Sequence, residues 1–305
     1  MSTLNTALDT VRFLNSVLQH PLNSHQKPQA ILRWLQWQVG SRIVPGSVVI
    51  DFVNQSKLVI QPSMRGATEN IYTGLYDFED MSFVLHLLQP DDWFVDVGAN
   101  VGTYSVLASA GRKAHSIAIE PNPEAYSHLI QNIYINNIQS NVESHNIGLG
   151  RSNGTLSFTS HLDCGNHVVL NTTINRDTAL MKVPIQTLDQ VLNERSSTLI
   201  KIDVEGFETD VIIGGKATFS QESLLAVILE INGSGLRYGY DDQTVHQLML
   251  SYNFLPFNYS PFDRKLLPLE SVNRRSRNTL YLRNIAQIKE RLKNAPCFTV
   301  HGVEV

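Results

Sequence analysis

The sequence predicts an α/β protein in which a doubly wound, mostly parallel sheet follows a smaller N-terminal appendage of helices and a β-hairpin. Three observations carry this expectation. Apolar strand runs near residues 93–97, 116–120, 142–147, 199–204 and 225–231 alternate with helical runs such as Pro123 to Asn136 and Phe207 to Phe219, and such alternation builds parallel sheets with helices on both faces. The first of these strands runs straight into a glycine turn and then a helix-compatible segment. The 305 residues, 42% of them apolar, suffice for one large domain and an appendage.

Residues 3 to 19 place Leu4, Leu8, Val11, Leu14 and Leu18 at near-helical spacing, and a second amphipathic run from Ala30 to Val39 carries Ile31, Trp34, Leu35 and Trp37. The stretch from Pro21 to Pro28 separates them. The tryptophan pair reads as a packing face, since indole rings bury large apolar areas. Strand runs at 48–53 and 57–60 flank Asn54-Gln55-Ser56 and read as a hairpin. Residues 1–70 are therefore expected to form the appendage, as a cover over the ligand mouth, a homodimer contact or plain scaffold, and residues 71–305 the main domain. Asp80 to Leu88 is helical in pattern, and Pro90-Asp91-Asp92 turns the chain into the first core strand at Trp93.

In Phe94-Val95-Asp96-Val97-Gly98-Ala99-Asn100-Val101-Gly102-Thr103-Tyr104 an apolar strand enters a turn with glycines at two points and an Asn between them. A backbone that bends sharply and admits a ligand to contact distance needs such small residues, and the helix N-terminus beyond offers free N–H groups. The second strand ends in Glu120, 22 residues after Gly98. An acid at that remove sits at the strand tip, where its two oxygens can accept both hydroxyls of a ribose. Asn100, and no third glycine at position 103, count against the pyrophosphate of NAD. An adenosine ligand without phosphate fits better, S-adenosylmethionine being the common one.

Val95-Asp96-Val97-Gly98-Ala99-Asn100-Val101-Gly102 resembles the first motif of the FkbM family of S-adenosylmethionine-dependent methyltransferases. Two later blocks, Gln186-Thr187-Leu188-Asp189-Gln190-Val191-Leu192 and Leu199-Ile200-Lys201-Ile202-Asp203-Val204-Glu205-Gly206-Phe207-Glu208, resemble that family's TLD and KIDVEGFE signatures, in order and at a similar spacing. The resemblance runs from about residue 70 to residue 285. It implies a class I, Rossmann-like methyltransferase domain with a seven-stranded sheet, S-adenosylmethionine as cofactor, and O-methylation of a hydroxyl on a small-molecule natural product or saccharide without a metal ion. It also implies that Asn146, Ile147 and Gly148, at the end of the third strand, hold the adenine ring.

Gly150 to Pro184 interrupts the alternation with a Ser-, Asn-, Thr- and Gly-rich stretch containing Leu156-Ser157-Phe158, His161 and His167. Long irregular connections tend to be functional, and this one reads as a hairpin-like insertion near the substrate mouth. Asn278 to Leu282 looks like a final strand, antiparallel and inserted in the sheet if the resemblance holds, between an Arg274, Arg275, Arg277 cluster and a helical run from Ile285 to Leu292.

Ligands of a doubly wound sheet lie outside the C-terminal strand ends. The cofactor-binding candidates are therefore Asp96, Gly98, Asn100, Gly102, Glu120, Asn146, Ile147 and Asp203. Asp96 either accepts from the turn's own N–H groups or reaches the cofactor's amino group, and Glu120 takes the ribose rather than capping the helix at Pro123. Methyl transfer to oxygen needs the nucleophile in line with the methyl group and its proton removed. Asp203 and Glu205 are the catalytic candidates, Asp203 first as the base, with Glu230 close behind and His161 or His167 as alternatives on the insertion. Asp203 could instead position the cofactor, and carboxylates converging there could hold Mg²⁺. Asn232 lies just past Glu230.

A net charge of −4 and 17% charged residues give no basic field for nucleic acid. Cys164 and Cys297 have no CxxC partner, so neither zinc nor a disulfide framework is indicated. No charged segment followed by an apolar one opens the chain and no stretch of about 18 apolar residues is present, which leads to the expectation of a cytoplasmic protein without membrane contact. Two competing readings are an NAD-dependent oxidoreductase and an adenosine-ligand binding protein that has lost its chemistry.

Overall fold

The computed structural model describes residues 3–43, 46–62, 64–159, 167–169 and 180–305. Helices α1 (Thr3–Gln19) and α2 (Lys27–Ile43) flank a 3-10 turn at Pro21–Asn23. Buried Asn23 ties that turn down, its Nδ2 donating to the carbonyls of Val17 at 2.8 Å and Tyr72 at 3.0 Å. Trp34 and Trp37 pack around Val17, Ala30 and Tyr72, as a packing face should. Strands β1 (Val48–Asp51) and β2 (Lys57–Ile60) form the expected antiparallel hairpin, with Asn54 and Gln55 at φ 53° and 68°, the left-handed conformation that hairpin turns demand. Helix α3 (Arg65–Thr73) runs across residue 70, and α4 (Phe78–Leu87) leads into the main sheet.

In chain order there follow β3 (Trp93–Val97), α5 (Thr103–Val106), which continues as a π-helical turn at Leu107–Gly111, β4 (His115–Ile119), α6 (Pro123–Ile135) and β5 (Val142–His145). The insertion is more than a hairpin. β6 (Gly148–Leu149), β7 (Gly154–Thr159), β8 (Val168–Val169) and β9 (Leu180–Gln186) make a separate four-stranded sheet in the order β6-β9-β7-β8. Next come α7 (Leu188–Leu192), β10 (Leu199–Ile202), α8 (Glu208–Ile213), α9 (Lys216–Ser220), β11 (Ala226–Glu230), α10 (Asp242–Ser251), β12 (Leu255–Ser260), β13 (Lys265–Pro268), β14 (Asn278–Leu282), α11 (Ile285–Asn294), β15 (Thr299–Val300) and β16 (Val303–Glu304). The helix expected over 207–219 is thus two helices. The break falls at Gly214 and Gly215, where the chain passes close to the residues after β6: a Cβ on Gly214 would fall 2.1 Å from the carbonyl oxygen of Gly150.

The main sheet has the order β13-β12-β14-β11-β10-β3-β4-β5. β5, β4, β3, β10 and β11 are mutually parallel, and β14 is antiparallel to both β11 and β12. The sheet therefore has eight strands among the described residues rather than the expected seven, because β13 pairs antiparallel with β12 and extends the edge. Alternate residues point to opposite faces. Phe94, Leu199, Ile228 and Leu280 pack with α4 and α11, whereas Val95, Ile200, Val227 and Tyr281 pack with α7, α8, α9 and α10. Burial on both faces explains why these strands read as continuous apolar runs. The chain builds outward from β3 through β5 and returns on β3's other side as β10, so the topological switch point lies between β3 and β10, where such sheets open a crevice.

Candidate active site

A cleft of about 660 Å³ opens over that switch point. Its floor is the C-terminal ends of β3, β4, β10 and β11, its walls include Glu69 and Asn70 of α3, and Phe158, Val168 and Met181 of the small sheet face it from the other side. Of the sequence candidates it brings together Asp96, Gly98, Asn100, Glu120, Ile147, Asp203, Glu205 and Glu230. Gly102, Asn146 and Asn232 do not line it, nor does His167, and His161 lies outside the described residues.

The glycines serve the fold as much as any ligand. Gly98 has φ 79°, and a Cβ there would fall 1.9 Å from the carbonyl oxygen of Asp203, so only glycine lets β3 and β10 leave the sheet side by side. Gly102, at φ 85°, lies under Leu129, 2.4 Å from where its Cβ would be. Asn100 occupies the left-handed region at φ 50°, which Asn tolerates better than most residues.

Glu120 is buried, and each of its oxygens accepts one backbone N–H at 2.8 Å, from Asn100 and from Asn122. It does not cap the helix that follows; Asn122 does, accepting from Glu124 and Ala125. Burial lifts the Glu120 carboxyl to about 7, against the two backbone bonds that favour its charge. The carboxyl lines the cleft and each oxygen keeps acceptor capacity beyond its one backbone bond, which is what a ribose diol requires. Asn146 turns inward, its Nδ2 donating to the carbonyls of Glu120 and Pro121 at 2.8 and 3.2 Å. It thus braces the acid, while Ile147 and Gly148 line the cleft. Asp96 accepts from Ser105 Oγ at 2.7 Å rather than from the turn, and its other oxygen is buried without a protein partner.

The second half of the cleft is a carboxyl cluster. Asp203, Glu205 and Glu230 present oxygens all within 4.8 Å of one another, a spacing that a divalent cation could bridge. Lys201 Nζ stands 2.8 Å from Asp203 Oδ2 and 4.8 Å from the centroid of the Tyr104 ring. Burial disfavours the Lys201 charge, but Asp203, Asp96 and Asp77 outweigh it and hold the ammonium above its ordinary range. Burial likewise works against the Asp203 charge, yet Lys201 and the hydrogen bond with Glu230 keep its carboxyl low. Glu230 is raised by burial and by the charges of Asp203 and Glu205, so it holds the proton of that bond. Glu205, half-buried and raised first by burial and then by Asp203, stands on a backbone at φ 53°. A non-glycine residue held there is strained.

Asp77 and Tyr104 were invisible as site residues. Asp77 stands at the N-cap of α4, where an acid reads as a cap, but it caps nothing and accepts from Tyr104 Oη at 3.0 Å inside the cleft. Two acids of the signature blocks prove to be braces. Asp189 accepts from Ala217 N, Thr218 N and Thr218 Oγ at 2.7 to 2.9 Å, stitching α7 to α9 away from the cleft. Glu208 accepts from Gly206 N at 3.0 Å and Val204 N at 3.3 Å, shaping the turn that presents Glu205.

The chain is similar in sequence to several methyltransferases. It is 29% identical to "Methyltransferase 1" of Beauveria bassiana over 150 residues, 29% to "Hexuronic acid methyltransferase AglP" of Haloferax volcanii over 170, and 31% to "Methyltransferase sdnD" of Sordaria araneosa over 132. These matches cover 41, 54 and 42% of this chain and 59, 64 and 49% of the relatives, so the chain spans about half to two thirds of their length. The family model described as "Methyltransferase FkbM domain" matches residues 96–256, from the glycine loop to β12, and the chain belongs to that family.

Proposed function

We propose that this chain is an S-adenosylmethionine-dependent O-methyltransferase acting on a hydroxyl of a small molecule or saccharide. The observation that carries the reading is that Glu120 with its glycine loop and the Asp203, Glu205 and Glu230 cluster open onto one cleft. The residues fit the cofactor: Glu120 could offer two acceptors to a ribose, Ile147 and Gly148 line the cleft where they would hold an adenine, and the unpartnered oxygen of Asp96 could accept from an ammonium group. The names of the relatives support methyl transfer, and one of them supports a saccharide acceptor.

When bound, the cofactor supplies an electrophilic methyl group on a sulfonium. The chain's task is to orient the acceptor and take its proton. Asp203 is a weak base, because Lys201 stabilises its anion, and serves to orient the acceptor hydroxyl and to set the field around it. Glu205 keeps more basicity and lines the same cleft, so it takes the proton. Calorimetry tests the cofactor: S-adenosylhomocysteine gives binding heat and NAD none, and tight NAD binding would overturn the reading. Transfer of labelled methyl groups to a panel of saccharides and hydroxylated small molecules tests the reaction.

A further inference from the structure

The cleft carries many carboxyl groups, and among its described lining residues only Lys201 and Arg277 are cationic. Their situations differ. Lys201 is buried, paired with Asp203 at 2.8 Å and stacked on Tyr104. The Arg277 guanidinium is exposed at the mouth and makes no hydrogen bond or ion pair among the described residues.

Its backbone, by contrast, is fixed. The Arg277 carbonyl accepts from Ile231 N at 2.8 Å, which pins it one residue beyond Glu230 and hence beside the carboxyl cluster. The preceding turn is closed by Asn273 N donating to Thr279 Oγ1 at 2.9 Å and Ser276 Oγ donating to Asn278 O at 2.8 Å. The hydrogen-bonded turn thus places on the cleft lining a fork of five N–H donors that has no hydrogen-bond partner among the described residues, although its charge already eases the anions of Glu205 and Asp203. A neutral polyol would be served by the carboxylates alone. An anion would be repelled by them unless a guanidinium met it, and the fork of Arg matches an oxyanion in two parallel bonds.

We propose that Arg277 binds an oxyanion, a carboxylate or a phosphate ester, carried by the acceptor beside the hydroxyl that is methylated. This rests on the methyl-transfer reading. The test titrates glucuronate, glucose 6-phosphate and glucose into the full chain saturated with S-adenosylhomocysteine, by calorimetry or ligand-observed NMR. At least one of the two charged sugars binds more tightly than glucose, and Arg277→Gln weakens it by about 10- to 100-fold while S-adenosylhomocysteine affinity and weak glucose binding stay unchanged. Which charged sugar wins distinguishes carboxylate from phosphate. Arg274→Gln, a neighbour outside the cleft, leaves all three as they were, and Arg277→Lys retains part of the preference. Equal binding of glucose and both charged sugars, or a charged-sugar affinity indifferent to Arg277→Gln, overturns the proposal. Absence of S-adenosylhomocysteine binding in the parent chain would instead overturn the methyl-transfer reading itself.

Discussion

One carboxylate, Glu120, joins the glycine loop to the turn after β4 by accepting from Asn100 and Asn122, while facing the cleft. Glu120→Ala is therefore expected to weaken S-adenosylhomocysteine binding by ~1–3 kcal/mol, since both the acceptor pair and the loop's partner are lost; unchanged affinity by calorimetry would remove Glu120 from the binding set. At the other end of the cleft, proximity to Lys201 divides the work between two acids. Asp203→Asn should lower turnover on an identified acceptor far more than cofactor affinity, and Glu205→Gln should cost about 10²- to 10⁴-fold in turnover, the range of a lost general base. Equal losses of rate and affinity in Asp203→Asn would move that residue to cofactor binding. The ammonium at 2.8 Å from Asp203 already supplies the positive charge a cation would bring. Activity is thus expected to survive EDTA, and its loss with recovery on added Mg²⁺ would reverse that assignment.

At the scale of elements, the strands of the parallel core were legible because burial on both faces leaves them uniformly apolar, and Glu120 was legible because spacing alone puts an acid at the tip of β4. What the sequence concealed has physical reasons. Strand β12 holds Pro256, which usually argues against an interior strand. Here the Pro256 carbonyl accepts from Leu269 N on the β13 side, so the missing N–H also faces that side, past the last β13 pair, and costs no bond to β14. The acids of the TLD and KIDVEGFE blocks cannot be sorted by spacing, since a brace and a catalytic acid have the same side chain; only geometry separates Asp189 and Glu208 from Glu205. Asp189→Ala should accordingly destabilise the fold by ~1–3 kcal/mol, as removal of a helix-capping acceptor does, with S-adenosylhomocysteine affinity unchanged. Thermal melts and calorimetry on one preparation check both halves, and a changed affinity without loss of stability would contradict the structural role.

Across the whole molecule, the N-terminal elements are not peripheral: α3 supplies cleft residues, and the turn before α2 docks on the C-terminal hairpin through Gln26 Nε2, which donates to His301 O at 2.7 Å. Two histidines sit in this junction. Burial lowers His20 to about 4, against the pull of the backbone at Leu75 and Tyr76, which favours the protonated ring, and lowers His301 to about 4 with the charge of Arg33 and the nearness of His20 adding to it. Both are neutral in the folded protein, whereas the unfolded chain protonates them near 6.5. Between pH 6.5 and 4 the unfolded state thus binds more protons, and the stability these residues contribute is complete above 6.5 and is lost as pH falls through that window. Asp80, Glu120 and Glu208, lifted to about 7 by burial, act in the opposite sense, gaining protons in the folded state as pH falls. The parent's stability curve alone therefore hides the junction, and a comparison with variants isolates it. His301→Gln, and His20→Asn with its retained cap acceptor for Leu22 N, lose stability at pH 7, but the gap to the parent should shrink by ~1–2 kcal/mol per site between pH 7 and pH 5. Denaturant unfolding at the two pH values measures the gap, and a gap that stays constant would mean that neither histidine is held neutral by the docking of the appendage.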